Sequence, residues 1–417
     1  MKITYLHQYF CTPSMPGGTR SFEMGKRLVA MGHEVSIVTS WREADGRKDW
    51  FTTDEAGITV HWLPVPYSNR MSFNQRIFAF IAFALRSSWL AASLESDIVF
   101  ATSTPLTIAL PAVYAAKKRR VPMVFEVRDL WPEMPIAMGA LKNPLLVRTA
   151  RMLEAWSYRN ASAVVALSQG MKQGIMKTGY PSNRIAVIPN GCDNADFTCD
   201  PQSSREFLAA RPWLRQKPLL IYAGTFGIVN GLNYVVALAE QLLSMGSNVN
   251  ILLVGDGSER HKLVQLAVNC KVLDVNLFFE QKIAKADISS LFSAATASSS
   301  FFVDLPEMRI NSANKFFDSL AAGKPILLNY GGWMHDLVVA YQCGIAAWRR
   351  PLEDVARELD LRLNDEAWLV SASHSARNLA ESYFDRDLLA SQLERVLRAA
   401  AHGSPVLTSS IAPGIFC

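Results

Sequence analysis

Twice along this chain the same rhythm runs, a short β-rich apolar segment followed by a helical one, with a fresh start at Pro218-Leu-Leu-Ile-Tyr-Ala-Gly224. Parallel strands cannot be joined by a tight turn, so this alternation implies right-handed βαβ units in which a helix carries the chain back. The chain is also long enough for two cores, since its 417 residues exceed the roughly 250–300 over which one core grows. The first half predicts strands at 2–8, 34–39, 59–64, 97–102, 122–127, 162–167 and 185–189, with helices at 19–31, 72–93, 105–118, 143–160 and 168–178. The second predicts strands at 218–223, 249–254, 275–280, 295–302 and 325–329, with helices at 232–245, 258–268, 284–293 and 314–322. Helical periodicity returns at 366–380 and 387–401. The expected architecture is α/β: one doubly wound, Rossmann-like domain at 1–200, a second at 215–385, a terminal helix at 386–402 and an irregular tail at 403–417. Two such domains facing a central cleft would bind ligands at the carboxyl ends of their strands.

Half the residues are apolar and 19% are charged, which excludes disordered and fibrous classes. Cys11, Cys192, Cys199, Cys270, Cys343 and Cys417 form no C-x-x-C pair and read as reduced thiols. With no charged leader ahead of an apolar stretch, the chain is expected in the cytoplasm. The greasiest stretches, 77–94 and 98–116, are interrupted by Arg86 and by Pro105 and Pro111, so membrane contact is expected to be peripheral. Residues 1–200 hold 22 Lys and Arg against 16 Asp and Glu, a balance of +6, while the remainder holds 20 against 21. No nucleic-acid partner is expected.

Gly17-Gly18 lies between the first strand and first helix, where backbone N–H groups could approach a phosphate at the helix N-terminus. Ala223-Gly-Thr225-Phe226-Gly227 holds the same topological place in the second half. Further on, Asn311-Ser-Ala-Asn314-Lys315-Phe-Phe-Asp318 puts a cation in the first turn of a helix. Lysine there opposes the helix dipole, and an anionic ligand would account for it. Asp318, about one turn on, could accept hydrogen bonds from ribose hydroxyls.

Together Gly17-Gly18 with Gly32-His-Glu-Val35, Pro189-Asn-Gly191, Val254-Gly-Asp-Gly257 and Asn314-Lys315…Asp318…Ala322-Gly-Lys-Pro325 resemble glycosyltransferase family 4, the retaining GT-B enzymes, over about residues 1–400. Phe125-Glu126-Val-Arg128-Asp129-Leu-Trp-Pro-Glu133 resembles the bacterial subgroup that builds O-antigen and capsule from UDP-linked N-acetylated sugars, including N-acetylfucosamine-type transferases. The resemblance implies an N-terminal acceptor domain, a C-terminal nucleotide-sugar domain and a last helix that crosses back to the first. It implies a UDP-sugar donor, a lipid-diphosphate-linked saccharide acceptor, and no metal or other cofactor. It further implies that Asp129, Arg128, Glu126 and Glu307 are catalytic candidates. Gly17, Gly18, Thr225, Phe226, Gly227, Lys282, Asn314, Lys315 and Asp318 are the implied donor-binding residues.

The chain departs from the family in three places. Of the family's two glutamates separated by seven residues, the second position is Asp318 and the first is Ile310, with Glu307 the nearest substitute. Arg128 stands where many members have His. An Arg/Lys pair that often grips the diphosphate is absent around Asn230 and Asn233, leaving Lys315, with Lys282 or Lys285, to supply the cation.

Other patterns have structural readings. Asp385-Arg-Asp387 spells the metal-binding D-x-D of another transferase architecture but begins a helix, where Asp is a common cap. Ser168-Gln-Gly170 resembles a nucleophile turn by letter only. The histidines are expected mostly at the surface, with His335 the one placed near the ligand. The stretch 72–93, with Phe73, Ile77, Phe80, Ile81, Trp89, Arg70, Arg76 and Arg86, and the cluster Lys117-Lys-Arg-Arg120 suit either core packing or an anionic membrane surface. A nucleotide-sugar 2-epimerase, which shares the two-domain fold, and a non-catalytic sugar-nucleotide binder are the competing functional readings.

Overall fold

The computed structural model describes residues 1–404 apart from 16, 44, 68–70, 198–199, 215–216 and 284–287, and Phe73 by its backbone alone. Arg70, Cys199, Lys285, Cys417 and the tail beyond 404 lie outside these residues. The chain divides into two compact units, one formed by Met1–Pro189 with the segment from Arg386 onward, the other by Asn190–Asp385.

In the first unit the strands are β1 (Lys2–Leu6), β2 (Glu34–Trp41), β3 (Phe51–Glu55), β4 (Ile58–Pro64), β5 (Ile98–Thr102), β6 (Met123–Val127), β7 (Ala163–Ala166) and β8 (Ile185–Val187). The helices between them are α1 (Arg20–Ala30), α2 (Phe73–Ser93), α3 (Ala109–Arg119), α4 (Glu133–Ala137), α5 (Pro144–Arg159) and α6 (Gln169–Met176). The sheet order is β3-β4-β2-β1-β5-β6-β7-β8. β5 and β6 are buried along their whole length, as parallel strands covered on both faces must be, and accordingly read as unbroken apolar runs. The sequence reading missed β3, which pairs antiparallel with β4. It joins β4 through Ala56 and Gly57, both at positive φ (56° and 81°). Two left-handed residues give the hairpin twist, but Ala-Gly carries none of the Asn-Gly or Asp-Gly signal.

The second unit contains α7 (Pro201–Ala209), β9 (Leu219–Thr225), α8 (Asn233–Ser244), β10 (Asn250–Asp256), α9 (Arg260–Asn269), β11 (Leu277–Glu280), α10 (Ile288–Ala294), β12 (Ala297–Ser300) and α11 (Asn314–Ala321). It continues through β13 (Ile326–Leu328), α12 (Trp333–Tyr341), β14 (Gly344–Ala346), α13 (Leu352–Leu363) and α14 (Glu366–Leu379). Its sheet is parallel throughout, ordered β11-β10-β9-β12-β13-β14. In both sheets the chain reverses its direction of travel beside the first strand, β1 in one and β9 in the other. Such a switch point opens a crevice at the strands' carboxyl ends.

The last helix, α15 (Arg386–Ala401), belongs to the first unit. Its Leu389, Leu393 and Leu397 are buried with Tyr5, Phe100 and Val124. Asp387 at its start pairs with Arg27 at 2.5 Å, while Asp385 accepts a hydrogen bond from Asn194 at 2.8 Å. The two carboxylates of the D-x-D letters are thus engaged with different protein partners.

Helix α2 corrects one expectation. Residues Asn74–Ser93 are long and apolar enough to cross a membrane by length and composition, Arg76 and Arg86 notwithstanding, and only 33% of their most apolar stretch is buried.

Because Leu393 is fully buried, Leu393→Ala should cost about 2–5 kcal/mol, all of it in the first unit. Native-state hydrogen exchange would show this as lost protection in β1 and β5 with β9 and β10 unchanged.

Candidate functional site

The second unit presents its loops at the carboxyl edge of the sheet. The turn after β9 is clamped by the turn after β10: Phe226 N–H donates to Asp256 O (2.9 Å) and Glu259 N–H to Phe226 O (3.0 Å). This closeness requires glycine. A Cβ on Gly255 would lie 1.9 Å from the Gly224 carbonyl oxygen, and one on Gly257 2.3 Å from that of Phe226. Thr225 is exposed, whereas the Phe226 ring is fully buried, so of this trio Phe226 faces the core and only its backbone lies on the turn. Arg260, which the sequence reading did not single out, donates to the carbonyls of Gly255 (2.8 Å) and Glu280 (2.9 Å) and so ties the ends of β10 and β11 together. Lys282 is exposed just beyond β11.

Against this turn stands the start of α11. Lys315 Nζ donates to the Tyr222 hydroxyl (3.0 Å), which itself donates to Thr225 O (2.9 Å). The ammonium lies so close to Gly224 that a Cβ there would come within 3.3 Å of it. Burial pushes Lys315 down to about 8, against the opposing pull of Asp318 one turn on. No side chain caps α11 at Ala313, and Asn314 is exposed at its first position. The helix begins without a side-chain cap and with a desolvated cation, both suited to an anion.

The segment before α11 is fixed from several sides. Asn190 of the Pro-Asn-Gly motif donates through Nδ2 to Ser312 O (2.6 Å) and through its N–H to Ser312 Oγ (3.0 Å), while its Oδ1 has no partner among the described residues. Trp333 Nε1 donates to Asn311 O (2.7 Å), and Trp348 Nε1 to Asp304 (3.1 Å). Glu307 sits in the 3₁₀ turn Pro306–Ile310, half-buried, with Oε2 shielded from solvent and without a hydrogen-bond partner among the described residues. In a 3₁₀ turn residues three apart share a side, so Glu307 and Ile310 project alike. His335 lies on α12 beside Asp336 (3.0 Å) and the Trp348 ring.

In the first unit Gly17 and Gly18 are exposed ahead of α1, whose N-terminus has no side-chain cap at Thr19. A Cβ on Gly17 would lie 2.5 Å from Cys11 Sγ. Glu126 is buried in an ion pair. Arg20 Nε and Nη2 donate to its Oε1 (3.1 and 2.8 Å), and Thr102 Oγ1 donates to Oε2 (2.6 Å). Arg20 also donates to the carbonyls of Ile188 (3.1 Å) and Pro189 (2.6 Å). Glu126 therefore has both oxygens committed to protein donors. Asp129 accepts from Thr104 Oγ1 (3.3 Å), and burial raises its pKa against the opposing charge of Arg128.

His7 and Gln8, at the end of β1, escaped the sequence reading, which expected surface histidines. Both are buried, with His7 Nδ1 and both Gln8 side-chain atoms without hydrogen-bond partners among the described residues. Burial, helped by the charges of Arg128 and Arg42, holds His7 neutral well below its ordinary range. No motif marks them; position at the switch-point strand was the available signal. Ser168 is explained without chemistry, as it caps α6 by accepting from Met171 N–H (3.1 Å).

Residues 17–191 match the glycosyl transferase 4-like domain and residues 204–381 match the glycosyl transferases group 1 family. The chain is a glycosyltransferase. Glycogen synthase of Mycobacterium tuberculosis is 24% identical over 300 residues, spanning 71% of this transferase and 67% of that protein. Among solved structures, Anabaena HepE in complex with UDP-glucose superposes with a TM-score of 0.72 at 18% identity, covering 96% of this chain and 100% of that one. WaaG, a glycosyltransferase involved in lipopolysaccharide biosynthesis, gives 0.69 at 16%, covering 95% and 99%. The fold of the transferase is GT-B, and these likenesses favour neither the epimerase nor the non-catalytic binder.

Burial would raise the pKa of Glu126, but Arg20, Arg128 and Thr102 together hold it below the ordinary value of 4.5. A depressed carboxylate stabilises the folded transferase fully above the unfolded pKa and loses that contribution as pH falls through the folded one. Glu126→Gln leaves Arg20 buried without a counter-charge and should cost about 3–5 kcal/mol. Urea midpoints of the variant, followed from neutral pH downward, should lack the part of the wild-type acid destabilisation that Glu126 supplies.

Proposed function

We propose that this transferase moves an N-acetylated hexosamine, with retention of configuration, from a UDP-sugar to a lipid-linked saccharide during surface polysaccharide biosynthesis at the cytoplasmic side of the membrane. The observation that carries the donor half of this reading is Lys315, a buried ammonium whose hydrogen bond goes to a neutral hydroxyl, at an uncapped helix start. A nucleoside diphosphate supplies the charge that this cation lacks. The structural likeness to a protein solved with UDP-glucose supports the choice of nucleotide, and the likeness to a lipopolysaccharide enzyme supports the choice of pathway class.

In this reading Lys315, Asn314 and the first N–H groups of α11 hold the diphosphate, assisted by Lys282 and by the Thr225–Gly227 turn, and Asp318 receives ribose hydroxyls. Gly17 and Gly18 leave room for the phosphates at the start of α1. Glu307 faces the sugar. As the anomeric bond breaks, negative charge grows on the leaving phosphate, and fixed cations and N–H groups stabilise it without reorganising. The leaving phosphate takes the acceptor proton, while Asp129, beside Arg128, orients the acceptor hydroxyl. Positive charge at the diphosphate comes from the protein, so the reaction proceeds without a metal.

Incubation with a panel of UDP-sugars and lipid-linked monosaccharides should release UDP only when donor and acceptor match, with full activity in excess EDTA. Activity lost to EDTA and restored by Mg²⁺ or Mn²⁺ would refute the metal-free mechanism.

Lys315→Ala should lower kcat/KM by about 10²–10³-fold. Bound phosphate favours the protonated amine, so donor affinity in the wild type should fall as pH rises through about 8. The donor KM of Lys315→Ala should show no such rise, and a wild-type KM that stays flat through that range would remove Lys315 from the phosphate site.

A further inference from the structure

Helix α2 is apolar on two faces. Ala79, Phe80, Phe83, Ala84 and Ala91 are buried, as a helix packed on its domain requires. On the opposite side Phe78 (75% exposed), Ile81 (46%), Leu85 (65%) and Trp89 (75%) follow one another at helical spacing in full view of solvent. Helix α3 extends this surface with Leu110 and Tyr114, the Tyr114 ring lying 6.2 Å from that of Trp89. Neither helix contains an acidic residue. Arg119 donates to the Ser93 carbonyl and pins the ends of the two helices together. Beyond that pin, Lys117, Lys118 and Arg120 are exposed. Lys117 and Arg120, with Met123, Asn160 and Ser162, line a cavity of about 200 Å³ at the same end of α3.

An exposed apolar stripe on two helices that carry cations and no acid narrows the choice of occupant, and Glu95, just past α2, is already paired with Lys2 (2.5 Å). A second copy of this face would bring like charges together across a two-fold axis. An anionic lipid surface accepts both halves of the pattern, the aromatic and aliphatic stripe at the level of the headgroups and the cations against phosphates. Crossing the bilayer is a poor fit, because the inner face of α2 is committed to its own unit and Arg86 donates to the carbonyls of Pro64 and Lys48.

We propose that the α2/α3 face docks flat on an anionic bilayer, with the cavity at the end of α3 receiving a lipid headgroup phosphate through Lys117 and Arg120. The proposal stands apart from the donor chemistry and would survive a failure of that reading.

The test is flotation of the full chain with phosphatidylcholine vesicles, with and without phosphatidylglycerol, at low and high salt. The wild type should bind the anionic vesicles in a salt-sensitive way. Changing Lys117, Lys118 and Arg120 together to Ser, with Arg119 left in place, should weaken that binding by about 100-fold, at about fivefold for each cation. Changing Phe78, Leu85 and Trp89 to Ser should weaken it comparably with no fall in Tm, since all three side chains are exposed. Soluble dihexanoyl phosphatidylglycerol should compete with the vesicles and inorganic phosphate should not. A wild type that ignores anionic vesicles at low salt overturns the proposal, as do variants that bind like wild type. Competition by inorganic phosphate alone overturns the headgroup assignment, and a dimer abolished by the apolar variant without any lipid binding reassigns the face to self-association.

Discussion

Parallel strands leave the chain one way of arranging its loops. Each strand must be followed by a crossover, right-handed crossovers bring every next strand in with the same polarity, and all the turns leaving carboxyl ends therefore collect on one edge of the sheet. In the second unit this edge gathers the turns after β9 and β10 and the segment leading from β12 to α11. The backbones approach so closely there that Gly255 and Gly257 have no room for a side chain. Lys315 lies against this crowded edge, its ammonium 3.0 Å from the Tyr222 hydroxyl and within 3.3 Å of where a Cβ on Gly224 would stand.

Burial acts on the charged groups of the two edges in opposite ways, and the partner decides the outcome. Glu126 and Arg20 are both almost wholly buried, yet each is matched by the other and by further hydrogen bonds, so the pair holds β5, β6 and the chain near Pro189 in register. Lys315 meets a neutral hydroxyl and is displaced toward neutrality. Asp129 has one long hydrogen bond and is displaced the same way. A charge already satisfied by the protein offers a substrate little, whereas one that remains displaced offers binding energy to whatever completes it. By that measure the proposed ligand roles suit Lys315 and Asp129, whereas both oxygens of Glu126 already accept from protein donors.

Most strands and helices were legible because burial on both faces writes unbroken apolar runs and burial on one face writes a 3.6-residue period. Three of the elements missed show where that signal fades. β3 is a half-exposed edge strand, and β14 buries only its middle residue, Ile345, so neither writes an apolar run. α13 does bury Val355, Ala356, Leu359 and Leu363 at helical spacing, but its charged residues masked the stripe. At the site, Gly, Lys and Asp in loops could be named from sequence because their chemistry is unusual in those places. His7 and Gln8 could not, since a polar residue at the end of an apolar strand reads as the strand's end. Glu126 looked chemical for the complementary reason: its partner Arg20 lies 106 residues away, beyond the reach of any local pattern.

The absent glutamate at position 310 shows how local geometry relaxes a spacing rule. A motif counted along the sequence presumes a particular backbone, and in a 3₁₀ turn a step of three residues returns a side chain to the same side one turn along the axis. Pro306–Ile310 is such a turn, and its surroundings allow it little movement. Arg309 stacks over Trp348 and pairs with Asp304, its carbonyl lies where any Cβ on Gly332 would fall, and Trp333 holds Asn311. Glu307 is thus carried on a braced turn with one carboxylate oxygen shielded from water and without a partner among the described residues, at the cost that such shielding imposes. In the proposed reading, this braced, partly desolvated carboxylate one 3₁₀ step from the expected position accepts from sugar hydroxyls, which supply the donors that the described residues do not.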